Sequence, residues 1–301
     1  MDEDAREKHP RTYQPGRYVS KYDMTGKIDK KGVKLSNYAT KLYLSDSLRE
    51  PLIRTIVNTL NLPKGSAGVD IGCGIGSNTL LLAEAVGKSG NIVGIDLSED
   101  LLKYAQKRAE RAAVSPQIVF RKGDMNSLFA NDKSFDWAWS MDCVGYSPGD
   151  GVYLLKEISR IVKPGGSIFI LAWSSQQLLP GYPQLEARLN ATSTGIAPFV
   201  NGQPPATHFL RALGWFEAAG IKEYTAQTFV GNIQAPLNDE KRKALISLFE
   251  MRWGTPKSEL SEYDYMEFKR LCHPNSPDFI LSCPDYYGFF TYTMFHGKVA
   301  E

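Results

Sequence analysis

Several large classes of protein are marked by features that this chain has little of. Only four cysteines occur in 301 residues (Cys73, Cys143, Cys272 and Cys283), none in Cys-x-x-Cys spacing. Neither a zinc site nor a disulfide framework is therefore expected, and reduced, buried thiols are the plain reading. No apolar run approaches the roughly 18 residues of a membrane span, and the opening MDEDAREKHPRTYQPGRY lacks the apolar core of a secretory signal. Charge of one sign is not in excess either: 35 Lys and Arg stand against 33 Asp and Glu, a net charge of +2. That balance gives no global reason to expect nucleic acid or an anionic membrane as partner. Internal repeats and low-complexity tracts are also missing. A cytoplasmic protein of ordinary composition is the expectation, as monomer or homodimer, long enough for one enlarged domain or a domain with a lid.

What the chain does have is regular alternation. After a charged arm (residues 1–16), SDSLREPLIRTIVNTLNLPKG reads as a helix, with Ser45 or Ser47 as cap and Pro63-Lys64-Gly65 as its stop. Strand AGVDI, helix SNTLLLAEAVG, strand NIVGID, helix SEDLLKYAQKRAERAA and strand QIVFRKGD follow. Strand FDWAWS, helix GDGVYLLKEISRIV, turn KPGG and strand SIFILAWS come next. Strands alternating with helices at this spacing mean a parallel sheet covered on both faces. The rhythm breaks at residues 176–207, rich in proline and glycine, and again at 234–285, where two helical patterns occur. Helix FLRALGWFEAAG and strand IKEYTAQTFVG lie between the breaks, and strand GFFTYTMFHGKV ends the chain. Long excursions of this kind are usually lids or binding elements, and open α/β sheets bind ligands at the carboxyl ends of their strands.

The stretch VDIGCGIGSNTL, residues 69–80, carries the first chemical signal. Gly72, Gly74 and Gly76 let the backbone press close against a dinucleotide, a nucleotide or a sulfonium cofactor. A dinucleotide fingerprint wants Gly-x-Gly-x-x-Gly, but Ser77 holds the third position and Gly76 comes one residue early. A P-loop is excluded, since no Gly-Lys-Ser/Thr follows. Asp96, 20 residues beyond Gly76 at the end of VGID, is placed to take both hydroxyls of a ribose. In RKGDMNSL, Asp124 is placed to accept from an adenine amine and Met125 to pack on the ring, and FDWAWSMDCVGY supplies a strand whose end passes the reactive part of the cofactor.

This ordered set resembles the class I S-adenosylmethionine-dependent methyltransferases, in particular their UbiE-like small-molecule branch, over roughly residues 48–232 and the last strand. The resemblance implies a Rossmann-like, seven-stranded, mostly parallel sheet with helices on both faces and a helical cap formed by the insertions. It implies an arm over residues 1–44, a core from 45–175, 208–233 and 286–301, and a cap from 176–207 and 234–285. S-adenosylmethionine is the cofactor so implied, with S-adenosylhomocysteine as product and a small, apolar or aromatic molecule as methyl acceptor. Asp70, Gly72, Cys73, Gly74 and Gly76 match the turn beside the methionine part of the cofactor. Asp96 and Leu97 match the ribose acid and its adenine-packing neighbour, Asp124 and Met125 the adenine pair, and Ser140 and Met141 the strand end beside the sulfonium. Tyr18 and Tyr22 offer the tyrosine-bearing segment that covers the cofactor in this family.

Transfer from a sulfonium needs few catalytic side chains, because the leaving group is already in place. Where the acceptor must lose a proton, His208, Asp142 and Tyr146 are the candidate bases. Their plainer roles are a helix cap, local backbone hydrogen bonds and pocket wall. Tyr182, Phe199, Trp215, Trp253, Tyr286, Tyr287 and Phe289 are candidates for an aromatic acceptor pocket or, for at least half of them, for core beneath the insertions. A nucleic-acid methyltransferase would show an Asn/Asp-Pro-Pro-Tyr motif or a basic stripe, and neither occurs. An arsenite methyltransferase would need thiolates in the pocket, whereas Cys73 sits inside the glycine turn. A cofactor-retaining enzyme or a sensor that does not methylate would carry the same signals, and a nicotinamide oxidoreductase is the more distant alternative.

Overall fold

A computed structural model describes residues 37–301 apart from 147–149, 200–201 and 255, so Tyr18 and Tyr22 lie outside the described residues. Seven strands form one sheet in the order β3-β2-β1-β4-β5-β7-β6. They are β1 (Ala67–Ile71), β2 (Asn91–Asp96), β3 (Ile118–Lys122), β4 (Phe135–Met141), β5 (Val162–Gln177), β6 (Lys222–Gln234) and β7 (Tyr287–Lys298). The first five pair in parallel, while β7 runs antiparallel between β5 and β6. The expected Rossmann-like sheet is thus observed. Central β1 and β4 are apolar without alternation because both of their faces are covered.

The helices fall into two layers. Beside the sheet stand α1 (Asn37–Thr59), α2 (Ser77–Val86) and α3 (Glu99–Arg111) on one face, α4 (Gly151–Ile161) and α7 (Ala212–Ala218) on the other. Trp137 and Trp139 point to the first layer; Val69, Ile71 and Ala138 point to the second. Local chemistry sets the ends of these helices. Ser98 caps α3 by accepting from Leu101 N (3.4 Å), and Asp150 caps α4 by accepting from Val152 N (2.9 Å). Glu99 and Asp100 open α3 while Arg108 and Arg111 close it, the arrangement that the helix dipole favours.

Three local expectations need correction. Helix α1 starts at Asn37, before Ser45 and Ser47, which lie within it and return their hydroxyls to Leu42 O (2.8 Å) and Leu44 O (3.4 Å). Serines followed by Pro51 imitate a helix start, but the preceding turn is held by packing of Ala39 against Ile75, Leu101 and Tyr104. Strand β5 begins at Val162, and the KPGG segment lies within it as a register shift between Phe135 and Trp137, with Gly165 at φ 73°. The first excursion holds helical structure that its proline content masked: α5 (Pro183–Asn190) and α6 (Ser193–Ile196).

The second excursion holds α8 (Asp239–Trp253) and α9 (Glu262–Cys272). Ala244, Leu245, Leu248, Phe249 and Trp253 of α8 share one apolar core with Ile53 and Ile56 of α1 and with Trp139 and Trp173 of the sheet. The two excursions are also tied to each other. Asn190 Oδ1 accepts from both Trp253 Nε1 (2.9 Å) and Gln176 Nε2 (3.0 Å), and Arg188 pairs with Asp264 at 2.8 Å. The buried carboxylate of Glu186 accepts from the Leu178 and Leu179 amides at 2.8–3.0 Å, fixing the chain as it leaves β5.

Candidate functional site

The glycine turn between β1 and α2 is the floor of the site. Gly72, Gly74 and Gly76 all have φ between 53° and 77°, a region that side chains disfavour. A Cβ on Gly72 would collide with Cys143 Sγ, and one on Gly76 would lie 2.9 Å from Ala105 Cβ. The amides of this turn are spent inside the protein. Gly72 N and Cys73 N donate to Ile95 O (2.8 and 2.9 Å), Gly74 N to Asp96 Oδ2 (2.9 Å) and Gly76 N to Cys73 O (2.9 Å). A pyrophosphate cradle needs such amides free and pointing outward. These point inward, so the turn presents its glycine Cα surface to a ligand and not a nest of donors.

Carboxylates converge above that floor. Asp96, at the end of β2, accepts from Gly74 N with Oδ2 and from Ser98 N with Oδ1 (2.9 Å each). Each oxygen keeps a second acceptor site. Asp70 is buried beneath the turn and accepts from Thr79 Oγ1 at 2.6 Å, and burial raises its pKa from 3.8 to about 7. Cys143 lies between Gly72 and Met125, 3.7 Å from the Met125 sulfur, and burial with Asp96 and Asp70 nearby pushes its thiol up to about 12. This surface suits a cationic sulfonium with ribose hydroxyls and disfavours a polyanion. At the rim, Leu97 is 62 % exposed. Asp124 is exposed too; hydrogen bonds from Asn126 N (2.8 Å) and Nδ2 (2.7 Å) hold its carboxyl below the usual range.

Ser140 is turned into the protein, and Cys73 lines a cavity above the turn while its side chain is buried. Ser140 Oγ donates to Ile71 O (2.9 Å) and accepts from Val144 N (3.2 Å), bracing β1 against β4 from a buried position. The Cys73 side chain is buried against Gly94. Met141 lines the site, its sulfur accepting from Asn78 Nδ2 at 3.3 Å.

Helix α1 closes the site from above. A cavity of about 190 Å³ lies between it and the turn, lined among others by Tyr38, Arg49, Gly74, Asn78, Met141 and Asp142. Arg49 points into this space with Nη2 3.3 Å from Asp46 and Nη1 3.8 Å from Asp142, while its buried Nε has no partner. Asp46 accepts from Ser77 Oγ (2.6 Å) and from Arg108 Nη1 (3.0 Å), fastening α1 to the start of α2 and to α3. Tyr38, Arg49 and Cys143 escape a reading based on motifs. Helical spacing from Asp46 was the available signal for Arg49, and position two beyond Met141 was the signal for Cys143.

Asp142, at φ 51°, connects this space to the other half of the sheet. Its carboxylate accepts from Trp173 N (2.9 Å) and Tyr292 Oη (2.8 Å). Next to it, Tyr146 donates to Trp173 O (2.8 Å), and burial holds its hydroxyl well above the ordinary value. Beyond Tyr146 opens a second cavity of about 420 Å³, with Trp173, Phe199, His208, Phe209 and Arg252 in its wall. His208 stacks on Phe199 (4.4 Å between ring centres), and its Nδ1 accepts from Leu210 N at 3.2 Å, the cap arrangement. Burial lowers its pKa. Of the cap aromatics, Phe199 reaches this cavity, whereas Trp215, Trp253 and Tyr286 are buried core and Tyr287 is 49 % exposed.

Residues 69–166 match the family model for a methyltransferase domain. The chain is 31 % identical to the demethylmenaquinone methyltransferase of Bacillus licheniformis over 193 residues, 58 % of this chain and 79 % of that one. It is 38 % identical to the same-named enzyme of Lysinibacillus sphaericus over 124 residues, 40 % of this chain and half the length of that relative. A solved phosphoethanolamine N-methyltransferase 2 of Haemonchus contortus shares the fold with a TM-score of 0.53 at 17 % identity, covering 87 % of this chain and 58 % of that one. The fold and the sulfonium-compatible site therefore define an S-adenosylmethionine-dependent methyltransferase of class I. Within that class, the chain belongs to the UbiE-like branch. Among the described residues no helix is long and apolar enough to cross a membrane, and no cluster of His, Cys, Asp and Glu could hold a metal.

Proposed function

We propose that the protein methylates a small ring-bearing acceptor seated in the 420 Å³ cavity beside Tyr146. The observation that carries this reading is that Asp142, which lines the cavity beside the glycine turn, accepts from the amide of Trp173, which lines the aromatic cavity. When bound, S-adenosylmethionine supplies an electrophilic methyl group on a sulfonium. Asp96 receives the ribose hydroxyls on its remaining acceptor sites, Leu97 and Met125 flank the adenine, and Asp124 accepts from its amine. Arg49, whose Nε lacks a partner, meets the methionine carboxylate, with Tyr38 as cover.

Each of the three candidate bases is already engaged in hydrogen bonds. Asp142 is held by Trp173 N and Tyr292 Oη, Tyr146 is a donor to Trp173 O, and His208 uses Nδ1 as acceptor and so presents Nε2 as N–H. These residues position the acceptor and exclude water, and rate comes from alignment. The insertions act as the lid, α8 being its wall toward α1. The names of the relatives favour a quinol-like ring as acceptor. The deciding experiment follows release of S-adenosylhomocysteine with a panel of hydroxylated mono- and bicyclic rings, beside calorimetry with S-adenosylhomocysteine and NAD. Turnover with at least one ring supports the proposal. Binding of S-adenosylhomocysteine without turnover of any ring indicates a sensor, and binding of NAD alone overturns the cofactor assignment.

A further inference from the structure

Resting on that reading, one feature of the acceptor cavity goes further. Among its described lining residues, aromatic, apolar and neutral polar side chains surround one of fixed charge, the guanidinium of Arg252 near the end of α8. One Nη2 proton goes to Gly195 O at 3.1 Å, while Nε is buried with no hydrogen-bond partner. No carboxylate pairs with Arg252 among the described residues, in contrast to Arg188, Arg160 and Arg270, each of which has one within 2.8 Å. The other polar side chains in the wall are Gln203, Ser174, whose hydroxyl pairs with Thr291, Thr207, which donates to Pro204 O, Tyr146, which donates to Trp173 O, and His208, whose pKa is lowered by burial. Asp142 lies beyond Tyr146 and accepts from Trp173 N and Tyr292 Oη. A guanidinium lining the cavity without a carboxylate partner leaves its charge uncompensated, which a ligand oxygen anion at its terminal nitrogens would satisfy.

We propose that the acceptor binds as an anion, an aromatic ring bearing an ionised oxygen (carboxylate or phenolate) that Arg252 receives, its ring lying against Phe199 and Trp173. The acceptor's proton leaves to bulk water on binding, so the anionic oxygen reaches the site without a protein base. Where the phenolate oxygen is itself the nucleophile, it forms a bond to the methyl carbon as the carbon–sulfur bond breaks. The sulfonium becomes a thioether and the acceptor becomes neutral. Where the anchor is a carboxylate, it keeps its charge and fixes the orientation of the ring, and a separate ring hydroxyl is the nucleophile, its oxygen bonding to the methyl carbon as the carbon–sulfur bond breaks and its proton passing to water.

The test is calorimetry of two probe pairs in saturating S-adenosylhomocysteine: 3-hydroxy-2-naphthoate against its methyl ester, and 4-nitrophenolate against 4-nitroanisole. Wild type should prefer at least one anion over its neutral partner by roughly 10- to 100-fold, the weight of a charge-assisted pair. Arg252→Met should collapse that preference to less than about threefold, and Arg252→Lys should retain part of it. The pair that collapses identifies the carboxylate or the phenolate as the anchor. S-adenosylhomocysteine affinity reports folding of each variant, and Arg252→Lys serves should Arg252→Met not fold. A wild type that prefers neither anion, or preferences that Arg252→Met leaves intact, overturns the inference while leaving the methyltransferase reading standing. A wild type that binds no S-adenosylhomocysteine overturns that reading itself.

Discussion

The two halves of the sheet are built by different means. From β1 to β4, geometry is set largely by the backbone of neighbouring parallel strands and the turn that leaves them: positive-φ glycines, amides donating to Ile95 O and Asp96, and a serine brace between β1 and β4. From β5 to β7, it is set by side chains reaching across to the excursions and to the other half, such as Asn190 joining Gln176 and Trp253, or Tyr292 reaching Asp142. On the proposed function, the first half holds the cofactor and the second shapes the acceptor cavity.

The sharpest break of this contrast is Gly72→Ala. The alanine would meet Cys143 Sγ at a φ of 77°, so a loss of at least ~3 kcal/mol in stability and of measurable S-adenosylhomocysteine binding is expected, by urea melts and calorimetry. Wild-type affinity in this variant would show that the turn is not the cofactor floor. Next in size is Asp96→Ala, which removes two charge-assisted bonds to the ribose and should cost about 100-fold or more in affinity. Asp124→Ala, at an exposed carboxylate that contributes one bond, should cost less, and the reverse ranking would refute the ribose assignment.

A smaller effect separates the halves by pH. The folded state raises Asp70 from 3.8 to about 7, so between those values it keeps a proton that the unfolded chain has lost. Stability from this group is full below about pH 4 and declines as pH rises to about 7, by an amount on the order of a few kcal/mol. Asp70→Asn should flatten that slope in denaturant titrations at pH 4, 5.5 and 7, and an unchanged slope would place the titration elsewhere. Smallest is His208→Ala, which removes a cap and should cost about 0.5–1 kcal/mol with transfer changed no more than a few-fold. Loss of turnover by orders of magnitude would instead make His208 catalytic.

The contrast also explains what was legible in the sequence. Alternation and the Gly72, Asp96 and Asp124 spacing are properties of short stretches, so the sheet and its helices could be read from them, and the proposed cofactor residues were singled out by the same spacing. Ser140 was placed on the right strand end, but which way its hydroxyl turns depends on Ile71 and Val144, which spacing alone does not reveal. Helix α1 was read too short because Ser45, Ser47 and Pro51 carry the local signature of a start, while Ala39 acquires its burial only from Ile75 and Tyr104. Arg252 and Phe199 meet at one cavity from segments some 50 residues apart, a pairing that no local pattern encodes.

Helix α1 is held on two sides, by Asp46 to Ser77 and Arg108, and by Lys41 to Glu250 with the apolar seam along α8. The helical excursion is consequently not a cassette. A chimera that imports residues 239–272 from a relative with another acceptor must import α1 with them, or the donor's α8 will meet a foreign partner and shift the roof over the glycine turn. On the proposed function, the smallest inheritable unit of acceptor choice is therefore discontinuous, pairing the first described helix with a segment almost 200 residues later.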